Sequence, residues 1–163
     1  MSLPEREQQP NDIREARPDD ADVLTEFRLA MSRDAGFLSD EDDVAALRET
    51  TREYMRKAVA SGEFRAWLAE RNGEPVASAA VIVRRQPPNR RDILGREAYV
   101  LNVYTLSEHR RNGLATLLTE RVLAWCEKQG IKKIVLHATE DGARIYERFG
   151  FQDEQREMVL RRE

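Results

Sequence analysis

Residues 99–116 read YVLNVYTLSEHRRNGLAT, a pattern that predicts a strand, a short turn and the start of a helix. The first eight residues are mainly β-branched, aromatic or aliphatic, which suits a strand. The last residues begin a long amphipathic pattern, and a basic turn containing Gly113 lies between the two parts. Such a turn points unpaired backbone N–H groups at one spot, where the helix dipole is also positive. It therefore predicts a site for an anion, most naturally a phosphate.

The residues that follow complete a strand–helix–strand unit. Apolar side chains at helical spacing give the helix one buried stripe, and Gly130 is a natural end for it. The stripe consists of Leu114, Leu117, Leu118, Val122 and Trp125. Residues 133–138 form the next predicted strand, so the unit is a right-handed crossover between two parallel strands. The carboxyl ends of these strands, at Leu106 and Ala138, then share the sheet edge at which ligands of such sheets bind.

Upstream of this unit, the sequence predicts two helices and a hairpin. An apolar stripe favours a helix after Pro18, and the pattern Ser39-x-x-Asp42 is a capping box that would begin a second helix. The pair Asn72-Gly73 is a strong hairpin signal between two strands. The predicted strands are residues 13–17, 64–70 and 76–83. The last of them is a continuous apolar run, which suits a strand covered on both faces.

Three further segments complete the prediction. Residues 84–95 are predicted to be a mobile surface loop rich in arginine. Residues 141–149 are predicted to form a short helix that carries Tyr146, and residues 151–161 a last strand or hairpin. Because this short helix follows the second parallel strand, the topology brings Tyr146 toward the phosphate-binding turn.

Composition narrows the class of protein. The chain has 163 residues, of which 40% are hydrophobic and 35% charged, so we expect one globular domain after a flexible N-terminus at residues 1–11. A formal net charge of −3 argues against nucleic acid as a partner, and no aromatic residues interleave the arginines of the loop to stack bases. No apolar run approaches the roughly 20 residues of a membrane span. We therefore expect a cytoplasmic protein without a membrane partner. Cys126 alone allows no internal disulfide, and we interpret it as a packing residue.

Two motifs resemble the GNAT superfamily of N-acetyltransferases. The first is Arg110-x-x-Gly113-x-Ala115, which matches the acyl-CoA-binding signature Arg/Gln-x-x-Gly-x-Gly/Ala. The second spans residues 143–151 and resembles the family's Leu-Tyr-x-x-x-Gly-Phe, with Ile145 in place of leucine. The resemblance implies an α/β fold: a mixed, mainly antiparallel sheet with one parallel βαβ pair and helices on both faces. It also implies that residues 12–163 form a single N-acetyltransferase domain.

The resemblance further implies acetyl-CoA as the acyl donor and an amine as the acceptor, joined by direct attack in a ternary complex. It implies that Tyr146 protonates the departing thiolate, and that strand and turn residues hold the cofactor. These cofactor-binding candidates are Val103, Thr105, Arg110, Arg111, Asn112, Gly113, Leu114, Ala115 and Thr116. No metal is expected, because His109 and His137 have no ligand cluster around them in the sequence.

Several points stay open at this stage. The position where some relatives carry a glutamate base matches Ile134, which cannot serve, and nearby His137 is either the base or a structural residue. Thr139 stands where many relatives carry an asparagine that contacts the cofactor. The acceptor could be a small molecule or a peptide amine, and a homodimer is compatible with the family. The alternative function is an acyl-CoA-binding sensor or regulatory module without transferase activity.

Overall fold

The computed structural model describes residues 12–154 and 157–162, which form five β-strands and four α-helices. The strands are β1 (Asp12–Glu15), β2 (Phe64–Arg71), β3 (Glu74–Arg85), β4 (Arg96–Thr105) and β5 (Ile134–Leu136). The helices are α1 (Ala21–Asp34), α2 (Ala45–Ser61), α3 (Leu114–Lys128) and α4 (Glu140–Glu147). The flexible N-terminus predicted at residues 1–11 lies outside the described residues, and the single domain predicted for residues 12–163 stays a prediction.

The strands form one sheet in the order β1-β2-β3-β4-β5. The first three pairings are antiparallel, and β4 pairs with β5 in parallel. Since α3 connects these two parallel strands, the predicted strand–helix–strand unit and the predicted mixed fold class are confirmed, while the right hand of the crossover stays a prediction. The Asn72-Gly73 hairpin is confirmed as well, with both residues at positive φ, as a two-residue turn requires.

Helices cover both faces of the sheet. Side chains of α3 such as Leu118 and Val122 pack on one face against Val100 of β4, and all three are at most 2% exposed. On the other face, Leu24 of α1 and Met55 of α2 pack with strand residues of β2. Burying a large apolar side chain stabilises the fold by about 1.5–3 kcal/mol. The prediction that residues 76–83 form a strand covered on both faces is confirmed, because Val81 of β3 lies in one core and Ala80 in the other.

The predicted start of α2 is wrong. The carboxylate of Asp42 does accept a hydrogen bond from the Ser39 amide at 2.6 Å, which is half of the predicted capping box. However, this contact closes an isolated turn, and the helix begins only at Ala45, whose amide donates to Asp43 at 3.0 Å. Because Val44 is the first buried side chain after the turn, the burial of the helix stripe sets the start of α2.

The predicted last strand or hairpin is also not formed. Residues 151–154 and 157–162 adopt no strand, and β5 itself is limited to three residues. Met158 and Leu160 are 96% and 78% exposed, so this segment buries no face that would stabilise a strand. The sheet consequently ends at a short β5, within the part of the chain that the structure describes.

The long hairpin of β3 and β4 closes through the predicted arginine-rich loop. Asp92 accepts hydrogen bonds from the amides of Leu94 at 2.9 Å and Arg96 at 3.1 Å, which lowers the pKa of its carboxyl. Gly95 has a φ of +59°, and a Cβ there would lie 2.0 Å from the carbonyl oxygen of Gln86, so only glycine fits. The loop is therefore built as a defined turn, while its mobility stays a prediction.

Candidate functional site

The central strand β4 is bulged in its second half. Asn102 has a φ of +53°, and the pairing with β3 shifts register between Ser78 and Ala80. The parallel pairing with β5 ends at Val100, so residues 101–105 have no strand beside them on that side among the described residues. The predicted site residues Val103 and Thr105 lie in this segment. A strand edge of this kind offers backbone groups to an extended ligand.

Asn102 is held in its strained conformation by two contacts. Its carbonyl oxygen accepts a hydrogen bond from the Ser78 hydroxyl at 3.0 Å, and its Oδ1 accepts one from Nη1 of Arg28 at 2.7 Å. The residue is 3% exposed, and its Nδ2 has no hydrogen-bond partner in the described part of the chain. Buried polar atoms without a partner, like non-glycine residues at positive φ, are concentrated at functional sites.

The turn between β4 and α3 has the geometry of an anion site. Arg111 and Gly113 both have positive φ, at +62° and +75°, and Gly113 is the residue that caps α3 without a side chain. The first hydrogen bond of α3 runs from the Leu117 amide to the Gly113 carbonyl at 3.0 Å. The preceding amides of the helix therefore have no partner within it. Successive N–H groups of this kind form a concavity suited to a phosphate.

The space in front of this turn is open. A Cβ at Gly113 would have no heavy atom of the described residues within 4 Å. The turn is closed from behind by Asn112, whose Nδ2 donates to the His109 carbonyl at 3.0 Å. Of the other predicted residues, Leu114 buries its side chain in the core, so its amide alone faces the turn, while Ala115 and Thr116 are half-buried.

The two arginines of the turn differ in their contacts. Nε of Arg110 donates to the Thr105 carbonyl at 2.9 Å, and its guanidinium forms an ion pair with Asp34 of α1. The hydrogen bond that Arg110 donates to Asp34 raises the pKa of Arg110, which therefore stays charged and ties the turn to β4 and α1. Arg111 is exposed, and no carboxylate of the described residues pairs with it. Arg111 is thus the available cation of the turn.

Tyr146 lies on α4, which follows β5 as predicted. The helix begins after Thr139, whose hydroxyl accepts a hydrogen bond from the Gly142 amide at 3.2 Å. The ring of Tyr146 packs edge-on against that of Phe151, with 5.9 Å between the ring centroids. Burial raises the pKa of the Tyr146 hydroxyl. Tyr146 lines an open cleft of about 1270 Å³ between β5, α4 and residues 149–154. No residue of the turn between β4 and α3 lines this cleft, so the approach of Tyr146 to that turn stays a prediction.

His137 is engaged at both ring nitrogens. Nδ1 lies 2.9 Å from the hydroxyl of Tyr99, and Nε2 lies 2.7 Å from a carboxylate oxygen of Glu157. The hydrogen bond from His137 lowers the pKa of Glu157. A histidine bonded on both sides is suited to passing protons along a chain of groups, and it is equally suited to fixing the segment that carries Glu157. His137 is a candidate base from the sequence, whereas its partners Tyr99 and Glu157, which are 38 and 20 positions away, are not evident from it.

The comparisons with known proteins agree with this architecture. The mixed sheet with one parallel pair, the bulge in β4 and the turn that leads into α3 are the architecture that the resemblance to acetyltransferases predicts. The family model described as "Acetyltransferase (GNAT) family" matches residues 25–151, so the chain belongs to the GNAT family. Family membership places it among the acyltransferases, and the resemblance drawn from the sequence is confirmed.

Two solved structures and one curated relative illustrate the likeness. A predicted acetyltransferase from Clostridium acetobutylicum, solved with acetyl-CoA, is 28% identical with a TM-score of 0.84, covering 93% of this chain and 96% of its own. A GCN5-related N-acetyltransferase from Ralstonia eutropha JMP134 is 30% identical with a TM-score of 0.82, covering 93% and 98%. N-acetyltransferase family 8 member 2 of Rattus norvegicus is 29% identical over 111 residues, which is 66% of this chain. The chain spans 45% of the length of that curated relative.

Proposed function

We propose that the protein transfers the acetyl group of acetyl-CoA to an amine. The observation that carries this proposal is the turn at Arg111 and Gly113, which is open in front and lies beside the unpaired half of β4. A diphosphate fits the turn because two residues at positive φ aim backbone N–H groups outward and no Cβ fills the approach. The crystal structure of the Clostridium relative was solved with acetyl-CoA, which supports the same ligand class.

Each predicted site residue has a role in this proposal. The amides of residues 111–116 and the guanidinium of Arg111 would hold the diphosphate, with Arg110 positioning the turn. The backbone of Val103 and Thr105 would bind the pantetheine arm as an added strand. The amide near Val103 would also face the thioester carbonyl oxygen, where preorganised N–H donors contribute most to catalysis.

Acetyl-CoA supplies the acetyl group as a thioester. The acceptor nitrogen loses one proton to a base and forms the N–C bond to the acetyl carbonyl carbon as the C–S bond breaks. It then loses a second proton, which returns through water to the Tyr146 phenolate, and becomes an amide. Tyr146 would hydrogen-bond the departing sulfur and give it a proton. Because burial raises the pKa of Tyr146, its hydroxyl stays protonated at neutral pH and is available as a donor. The candidate acceptor for the first proton is the hydrogen-bonded pair of His137 and Glu157, which would receive it through a water molecule.

Calorimetric titration with acetyl-CoA, followed by a thiol-release assay with a panel of primary amines, tests the proposal. We expect micromolar binding and amine-dependent release of coenzyme A. Binding without release with any amine would favour the alternative, an acyl-CoA sensor or regulatory module. Absence of binding would contradict both functions, because the turn would then have no ligand.

The single cysteine should not interfere with that thiol assay. Cys126 lies on the buried face of α3, and burial raises the pKa of its thiol to about 11. We expect a disulfide reagent at pH 8 to label the native protein at least about 100-fold more slowly than the denatured chain, because the thiolate is the reactive form. Mass spectrometry of samples taken over time measures both rates. Fast labelling of the native protein would show that α3 opens from the sheet.

The same thiol also predicts a dependence of stability on pH. The unfolded chain ionises Cys126 at its ordinary pKa, below the raised value of the folded state. The contribution of Cys126 to the free energy of unfolding is therefore complete below the ordinary pKa. It is lost as the pH rises towards about 11.

Location and assembly stay predictions. Within the described residues, no helix has the length and hydropathy to cross a membrane. A cytoplasmic location and the absence of a nucleic-acid partner are expected from the sequence, and a homodimer is compatible with the family. Fractionation and sedimentation measurements test these points.

A further inference from the structure

A small pocket lies where α1 meets the start of α2. It has a volume of about 180 Å³ and a mixed lining of apolar and polar side chains, with one cation. The lining residues are Arg28, Leu29, Ser32, Phe37, Leu38, Leu47 and Thr51. Phe37 and Leu47 leave 83% and 47% of their surface exposed, so apolar surface is available at the mouth of the pocket. The fold does not use this surface for its own core.

The cation of the pocket, Arg28, has no acidic partner among the described residues, since none of their carboxylates lies within ion-pair distance of it. Its guanidinium donates a hydrogen bond to the neutral Oδ1 of Asn102. Neighbouring arginines on the same two helices are paired, since Arg48 contacts Glu26 at 2.6 Å and Arg52 contacts Asp22 at 2.7 Å. Arg28 is therefore fixed in position by an amide while its charge is not neutralised.

The fixed position of Arg28 is next to the reaction centre proposed above. Asn102, which holds it at 2.7 Å, is the bulge residue of β4 and directly precedes Val103. If the thioester lies at the amide near Val103, the acceptor nitrogen must approach beside the bulge. A second group of the acceptor, a few atoms from the nitrogen, would then meet the guanidinium.

We propose that the acceptor is an amine that also carries a carboxylate and an apolar side chain, as a free apolar amino acid does. The carboxylate binds the guanidinium of Arg28, which presents parallel N–H donors in the geometry that a carboxylate requires. The apolar side chain packs on Leu38 and Leu47 in the pocket. This inference rests on the proposed acetyl transfer and names its substrate class.

Matched acceptors test the inference on the wild-type protein. L-leucine, L-methionine and L-phenylalanine are each compared with their amides, which keep the amine and the side chain but lack the carboxylate. We expect kcat/KM for the best amino acid to exceed that for its amide at least tenfold. The amine of an amide is less basic, so its larger uncharged fraction works against this preference and makes the comparison conservative.

Variants assign the preference to one residue. Arg28→Gln should raise the KM of the amino acid at least tenfold, leave its amide within twofold and leave the Kd of acetyl-CoA unchanged. Arg28→Lys should restore part of the preference, because it keeps the charge without the forked donors. Arg52→Gln removes the same charge from the neighbouring helix and should leave all three values within twofold. Calorimetric titration of the amino acid into protein saturated with coenzyme A gives an affinity that does not depend on turnover.

The outcomes separate this inference from the proposed function. If the protein acetylates amines but shows no preference for the carboxylate, the inference is wrong and the acetyl transfer stands. If Arg28→Gln weakens the amino acid and its amide equally, Arg28 only supports Asn102, and the inference is wrong as well. If acetyl-CoA does not bind to the wild type, the proposed function falls and the inference falls with it.

Discussion

Gly113→Trp should abolish measurable binding of acetyl-CoA, weakening it by at least about 100-fold, the equivalent of two lost charge-assisted hydrogen bonds. The indole would occupy the open space in front of the turn, where the backbone N–H groups point. It would thereby block the approach of a diphosphate and not merely remove one contact. Calorimetric titration of acetyl-CoA into the variant measures the loss.

The control for this variant must carry the same backbone strain. Gly113 has a φ of +75°, and a non-glycine residue in that region costs about 1–2 kcal/mol wherever it occurs. Gly62 has a φ of +78° at the end of α2, and a Cβ there meets only the tip of the Arg65 side chain at 3.9 Å. Gly62→Trp should lower the melting temperature similarly and leave the affinity for acetyl-CoA unchanged. A loss of binding in both variants would attribute the effect to general destabilisation.

The sequence predicts well the parts of the fold that depend on residues close to one another in the chain. The crossover from β4 through α3 to β5 follows from one strand pattern, one helical stripe and short links, and each of these is a property of neighbouring residues. The predicted start of α2 was wrong because the Ser39-x-x-Asp42 pattern fits an isolated turn as well as a helix. Burial of Val44 then decided the start of the helix, and burial is not a local property.

The candidate site shows the same division. The turn between β4 and α3 consists of a few consecutive residues, so the sequence alone predicts Arg111 and Gly113 as site residues. The contacts that distinguish the two arginines are remote in sequence, since Arg110 meets Asp34 across 76 positions. Arg28 and Asn102, 74 positions apart, were missed for the same reason. One signal was present, because Asn102 interrupts the run of apolar and aromatic residues from 98 to 104.

Tyr146→Phe should reduce turnover by about 100-fold or more, the usual range for loss of a general acid, while the Kd of acetyl-CoA changes by less than about twofold. The substitution removes only the hydroxyl and keeps the ring that packs against Phe151 at 5.9 Å. A large fall in kcat with unchanged affinity therefore identifies an interaction made only in the transition state. Steady-state kinetics and calorimetry on the same preparation provide the two numbers.

The pH profile separates the acid role from a structural one. A tyrosine acid is active only while protonated, and burial raises the pKa of Tyr146 above its ordinary value. Wild-type turnover should therefore hold through neutral pH and fall on the alkaline side, and Tyr146→Phe should lack that alkaline fall. Tyr54→Phe is the matched control, because Tyr54 lies on α2 with its ring 6.2 Å from Phe64 and should leave turnover unchanged. Equal losses of turnover and affinity in Tyr146→Phe would instead mean that the hydroxyl holds the ligand and does not donate the proton.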